Sequence, residues 1–408
     1  MINRRSLLQG MGSLALLSGL AGCNQTGNSG LRLDLLEGSV PPQLLKDFQR
    51  TLPNGRSLSV RQVKTLATAF RELQRWHEAA TQTAQESAQA SAQSGQSPTA
   101  ASTPRPGQTA NLVSLGDAWL TRAIRQQLIE PLDVGQLAGW QRLPQSWQAL
   151  MTRNAEGAVD PAGQIWAAPY RWTGLAIAYR TDKLQAVDWQ PADWNDLWNP
   201  VLERRISILD NARVVLGLTL KTLGQSVNTT DLAALPQLSA KLAALQQQVR
   251  FYSSDAYLQP LMLGDTWVAV GWLADLLPVL RKDRRMAAVI PASGTVLSAD
   301  VWVQPATASG AIATGQATTP TAHELAVQWI NYCWQPENAL RLSLLGAAAS
   351  PVILGDRAAL PASLQNNPLL LPSTDVLDRS EFLLSLEPAS AEQYQQYWLQ
   401  MRQPPSAL

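Results

Sequence analysis

Gly116-Asp117-Ala118-Trp119 brings a carboxylate and an indole within two positions of each other, directly after the apolar run Asn111-Leu112-Val113-Ser114-Leu115. Those two groups together can hold an organic cation. The carboxylate supplies charge-assisted hydrogen bonds, and the ring face supplies a negative π surface. Asp117 has a second reading, as the cap of the helix that follows, because its short side chain can accept from unpaired N–H groups. The other reactive residue types offer less. His77 and His323 sit in helical patterns and no cysteines are paired, so the ligand set of a zinc site is missing. No phosphate loop, nucleophile elbow or nucleophile–base pair is present to suggest an enzyme. Cys333 lies in the apolar helical stretch 327–334 and reads as a buried, inert thiol.

The N-terminus carries Asn3-Arg4-Arg5-Ser6-Leu7-Leu8-Gln9, an apolar run over residues 11–20, and then Leu20-Ala21-Gly22-Cys23. Two positive charges before a short apolar run that ends in small residues form the layout of an export signal. The run is far shorter than the roughly 20 apolar residues that span a bilayer. The arginine pair resembles a twin-arginine signal, with Leu7 and Gln9 where that motif has Phe and Lys, so the general export route stays open. The last four residues resemble the lipobox of bacterial lipoproteins. This implies a signal peptide of residues 1–22, lipid on Cys23 and a polar tether over 23–30. Two acyl chains suffice for stable anchoring. With Cys23 lipidated, Cys333 has no partner for an intramolecular disulfide.

The 408 residues are enough for two lobes of ordinary size. A formal net charge of +1 with no basic cluster excludes a nucleic-acid binder. The 15 Trp outnumber the seven Tyr and four Phe, which supplies indoles either for cores or for ligand faces.

The elements that must position these groups follow from periodicity. Leu31, Leu33 and Leu35 alternate with polar residues, and Leu58, Val60 and Gln62 alternate again, which predicts two strands. Pro41-Pro42 opens a helix through Leu44, Leu45 and Phe48. Leu66, Phe70, Leu73 and His77 mark the face of a second helix. Residues 79–110 are rich in Gln, Ser, Thr and Ala, contain Pro98, Pro104 and Pro106, and hold no aromatic. They read as a disordered surface insertion. Further strands are expected at 111–116, 175–179, 205–209, 268–272, 287–290 and 300–303. Helices follow several of them, one starting at Asp117 and one capped by Asp210-Asn211 and stopping at Gly224. Strands alternating with helices predict an α/β fold with a mainly parallel sheet. Ligands in such sheets bind beyond the carboxyl ends of strands, where Gly116, Asp117 and Trp119 fall.

Seven segments, in order, resemble the polyamine-type substrate-binding proteins of ABC importers: 40–48, 117–133, 168–179, 208–224, 264–272, 290–305 and 346–351. The resemblance implies a two-lobe periplasmic-binding-protein fold (type II), with hinged lobes that close on a ligand in the cleft. It implies crossings near Gly174, Ala299 and Ser350. The first lobe would then be 31–174 plus 299–350, and the second 175–298 plus 351–408. Trp272 and Asp300 match cleft positions of the family, and Asn211 stands where the family has an acid. Trp172 lies in the first crossing and joins them as a candidate. Ser298 replaces a stacking Trp, Val214 a Glu, Leu36 and Ser39 an aromatic pair, and Leu383 a Gln. Asp117 and Trp119 lie at the same cleft edge and can partly compensate.

The function implied is that of a monomeric, cofactor-free periplasmic lipoprotein, touching the membrane only through its lipid. It would capture a small cationic solute, with putrescine and spermidine as candidates, and deliver it to an ABC importer permease. Two alternatives stay open: a binder of a different small organic solute, and an orphan sensor or assembly lipoprotein that kept the fold.

Overall fold

A computed structural model describes residues 30–94, 109–306 and 321–403. The signal segment and Cys23 lie outside them. In the first lobe, β1 (Leu31–Leu36) runs parallel to both β2 (Leu58–Val63) and β3 (Leu112–Gly116). The short β4 (Ile129–Glu130) and the hairpin of β5 (Thr152–Arg153) with β6 (Gln164–Ile165) lead into β7 (Ala168–Arg180), which enters the second lobe. There follow β8 (Ile206–Ile208), β9 (Val249–Tyr252), β10 (Val268–Trp272) and β11 (Met286–Val289). The strand β12 (Val296–Pro305) returns to the first lobe, and β13 (Glu381–Phe382) adds to its start.

One five-strand order occurs twice. The first lobe reads β2-β1-β3-β12-β7, and the second β9-β8-β10-β7-β11. In each, the fourth strand is antiparallel to both neighbours and is the strand arriving from the other lobe. The 13 residues of β7 are buried at all but two positions, as expected of a strand covered on both faces.

The cores locate the crossings. Trp172 and Leu297 belong to the first core, and Leu175 and Val296 to the second, so the paired crossing strands change lobe within two or three residues of each other. The third crossing differs from the expectation at Ser350. Val352, Ile353, Leu364, Leu370 and Leu371 are still buried in the first core. Phe382 packs on the first core and Leu383 on the second, so the chain changes lobe there. The helix Pro388–Arg402 then buries Tyr394, Trp398 and Met401 in the second core. Residues 351–382 carry only short helices, so no long hydrophobic period marks to which lobe they belong.

The insertion expected over 79–110 is also corrected in part. The helix that buries Phe70 and Leu73 spans Leu66–Ser94. Ala, Gln and Glu favour helix even where they have no core to pack on, so low complexity removed the buried face without breaking the helix. Residues 95–108 lie outside the described residues.

Candidate functional site

Arg171 on β7 and Asp300 on β12 are directly opposite each other across the antiparallel crossing pair, next to a register shift at Asp300 and Val301. Arg171 Nε donates to Asp300 Oδ2 at 2.5 Å, and the two side chains are 8% and 14% exposed. Burial opposes the charge on Arg171, but Asp300 outweighs it, with Tyr170 and Asp275 adding to the effect. The guanidinium is held above its ordinary range.

Asp117 follows the end of β3 and opens a short 3₁₀ turn, Asp117–Trp119, whose cap is Gly116 and not its own side chain. Instead the carboxylate reaches β12, where Oδ1 accepts from Ser298 Oγ at 2.9 Å and from Ala299 N at 3.1 Å. Its residue is 3% exposed. Burial pushes the carboxyl up to about 6, the two hydrogen bonds and Arg153 pull it back, and Asp300 pushes it up further. Arg153 is itself buried and bonded to Thr121, Leu150 and Gly157. It is the counter-charge that Asp117 feels.

The second lobe contributes the end of β10. Tyr257 is fully buried, and its hydroxyl accepts from Trp272 N at 3.2 Å and donates to Asp275 Oδ2 at 2.8 Å. Asp275 is an exposed residue whose carboxylate nonetheless has protein atoms packed around it. Desolvation raises its carboxyl, and Asp300 adds to the rise, while Tyr257 and Arg171 lower it. Burial and Asp275 together push the Tyr257 phenol well above its ordinary range. Trp272 is half-buried against the second core. Thr173 Oγ1 on β7 accepts from Ala274 N at 3.0 Å, which ties the first crossing to this turn.

The structure therefore brings Asp117, Asp300 and Trp272 of the sequence candidates into one constellation. Trp119 is half-buried and packs its ring 4.7 Å from that of Phe70. Asn211 is occupied as a helix cap, its Oδ1 accepting from Val214 N at 3.1 Å. Trp172 is 2% exposed and edge-on to Trp147 in the first core. Sequence reasoning missed Arg171, Tyr257 and Asp275. A charge inside an otherwise apolar strand marked Arg171, and a glycine in a strand, Gly271, marked the close approach of Tyr257. Nothing in the sequence distinguished Asp275 from any acid in a first helical turn. Elsewhere on the first lobe, a groove of about 700 Å³ is lined mainly by apolar side chains such as Leu143, Leu340, Ile353 and Leu360, with Arg142, Glu337 and Asp356 among them.

The repeated strand order and paired crossings define a two-lobe binding-protein fold, with acids gathered at the junction of its lobes. More narrowly, the chain belongs to the bacterial extracellular solute-binding proteins, whose family pattern matches residues 107–379. It is 26% identical over 293 residues to the spermidine/putrescine-binding periplasmic protein 1 of Haemophilus influenzae, covering 72% of this chain and 74% of that one. The putrescine/cadaverine-binding protein of Pseudomonas aeruginosa is 30% identical over 175 residues, 40% of this chain and 49% of the relative. The solved structure of the spermidine/putrescine ABC transporter substrate-binding protein PotD of Streptococcus pneumoniae superposes with a TM-score of 0.72 at 19% identity, over 92% of this chain and 98% of that one. The chain is thus an extracellular solute-binding protein by family. No described helix is long and apolar enough to cross a membrane.

Proposed function

We propose that this protein is an exported, lipid-anchored receptor that captures a small cationic solute between its lobes and delivers it to the permease of an ABC importer. The carrying observation is the convergence of Asp300 from the first lobe and Asp275 from the second at the junction of the crossing strands, coupled to each other electrostatically, with the buried Asp117 coupled to Asp300 behind them. Acids from both lobes let one cation bind both, which is how a ligand favours the closed state. Relatives named for putrescine, cadaverine and spermidine support a cationic solute. Trp272, whose backbone N–H is bonded to Tyr257, offers a half-buried indole from the second lobe, and Trp119 a half-buried indole from the first. Asn211 and Trp172 keep supporting roles, through the helix cap and the first core. Lipid on Cys23 holds the monomeric receptor at the membrane in the periplasm, and the tether 23–30 lets it reach the permease.

The test is calorimetric titration of the intact protein at low salt with a panel of organic cations, including putrescine, spermidine and basic amino acids, beside neutral sugars and organic anions. Micromolar or tighter binding of a cation, with silence from the neutral and anionic solutes, is the expected result. Binding of a sugar or a dicarboxylate alone would remove the reading.

A further inference from the structure

The cleft contains its own cation. Arg171 is 6% exposed, yet it donates only through Nε, and no other hydrogen bond joins its guanidinium to a described residue. A guanidinium has five N–H donors in a planar fork, and buried donors are almost always filled. The terminal nitrogens of Arg171 are not sealed from solvent. They therefore present donors that no described residue fills. Asp300 accepts through Oδ2 and Asp275 through Oδ2, and the Oδ1 oxygen of each accepts no hydrogen bond from a described residue.

The charges narrow the solute further. Asp117 is balanced by Arg153 and sealed behind Ser298. That leaves Asp275, Asp300 and Arg171, which sum to a single negative charge. A plain diamine or triamine carries two or three positive charges and no acceptor. It would leave the Arg171 fork empty and would compete with Arg171 for Asp300, and a buried ion pair that loses a partner is strongly destabilised. A solute with two ammonium groups and one carboxylate carries a net charge of +1 and fills every open position.

Resting on the proposal of a cationic solute, we infer that the ligand is an α,ω-diamino acid, a diamine bearing a carboxylate at one end. The carboxylate docks on the terminal nitrogens of Arg171. The neighbouring α-ammonium takes Oδ1 of Asp300. The ω-ammonium takes Oδ1 of Asp275 beside Trp272. Arg–carboxylate recognition is planar and two-pronged, which explains an arginine here and not a lysine.

L-ornithine and putrescine test this directly, because ornithine is putrescine with one added carboxylate. Both are titrated calorimetrically into the intact protein at low salt. Ornithine is expected to bind at least tenfold more tightly. Arg171→Met removes the internal cation and should reverse the order, weakening ornithine at least tenfold while strengthening putrescine. Arg171→Lys keeps the charge without the fork and should weaken ornithine more than putrescine. Tighter binding of putrescine by the unaltered protein overturns the inference and leaves cation capture standing. Binding of neither compound nor of any other cation overturns both. The comparison in the unaltered protein decides the matter even if a variant fails to fold.

Discussion

The ring of Tyr257 lies against the backbone of Gly271 so closely that a β-carbon there would come within 1.9 Å of it. Glycine at 271 is what lets the phenol pass under the end of β10 and reach both Trp272 N and Asp275. Gly271→Ala must push the ring aside. Overpacking of this kind costs about 1–3 kcal/mol, and the displaced hydroxyl also leaves Trp272 N–H without its partner. Urea denaturation should show that loss. Solute affinity should fall with it, because Asp275 loses the bond that orients it. An unchanged midpoint and affinity would mean that the ring is free to move.

Asp117 gives a pH signature of unusual sign. Its carboxyl stands at about 6 when folded, against an ordinary 3.8. The folded state thus holds the proton more tightly than the unfolded state. The contribution to stability is complete below about 3.8 and is lost as pH rises through about 6, a difference of about 3 kcal/mol. Asp182 and Asp283 shift the opposite way, Asp283 down to about 2, so their contributions are lost as pH falls. The comparison with Asp117→Asn isolates the site. The amide oxygen can still accept from Ser298 and Ala299, so the variant should match the parent near pH 4 and exceed it in stability at pH 8. Parallel stability curves for the two proteins between pH 4 and 8 would show that the folded carboxyl titrates normally.

The Arg171–Asp300 pair predicts a non-additive cycle. Removing Asp300 alone strands a buried guanidinium and should cost about 3–5 kcal/mol. Asp300→Leu combined with Arg171→Met replaces the pair with apolar side chains and should recover most of that loss. Chemical denaturation of the parent, both single variants and the double variant measures the coupling. Additive single effects would mean that the two side chains do not depend on each other. Binding is read beside stability, since the double variant folds but should lose the solute.

Much of the frame was legible because it rests on periodicity. Val268–Trp272 was expected as it occurs, the helix from Pro42 follows from its prolines, and Cys333 is buried as its apolar neighbours predict. The candidate site was half legible. Asp117 announces itself by following a strand end, and Asp300 and Trp272 by matching cleft positions of the family the chain resembles, whereas Asp275 and Tyr257 meet only after a turn brings positions 18 residues apart together. Asp117 shows why residue type alone misleads. Aspartate after a strand suits a helix cap, but the carboxylate here bonds a strand 182 residues away. The third crossing was misplaced because residues 351–382 pack through scattered apolar side chains with no repeat to read.

Cys23 carries the last prediction. A soluble binding protein drifts away from its permease, whereas two acyl chains bury enough methylene surface for stable anchorage. The polar segment 24–30 separates that anchor from Leu31, the first residue of β1. If Cys23 is lipidated, the expressed protein should sediment with membranes, resist high salt and enter the detergent phase on extraction. Cys23→Ala blocks diacylation and cleavage at the lipobox together. It should give a product that is longer by the uncleaved signal and free of labelled fatty acid, while folding and solute affinity stay as in the parent because the lobes begin beyond the tether. Fatty-acid labelling of the variant equal to that of the parent would place the lipid elsewhere. Absence of label from the parent would make the export signal an ordinary cleaved one and the receptor freely diffusing.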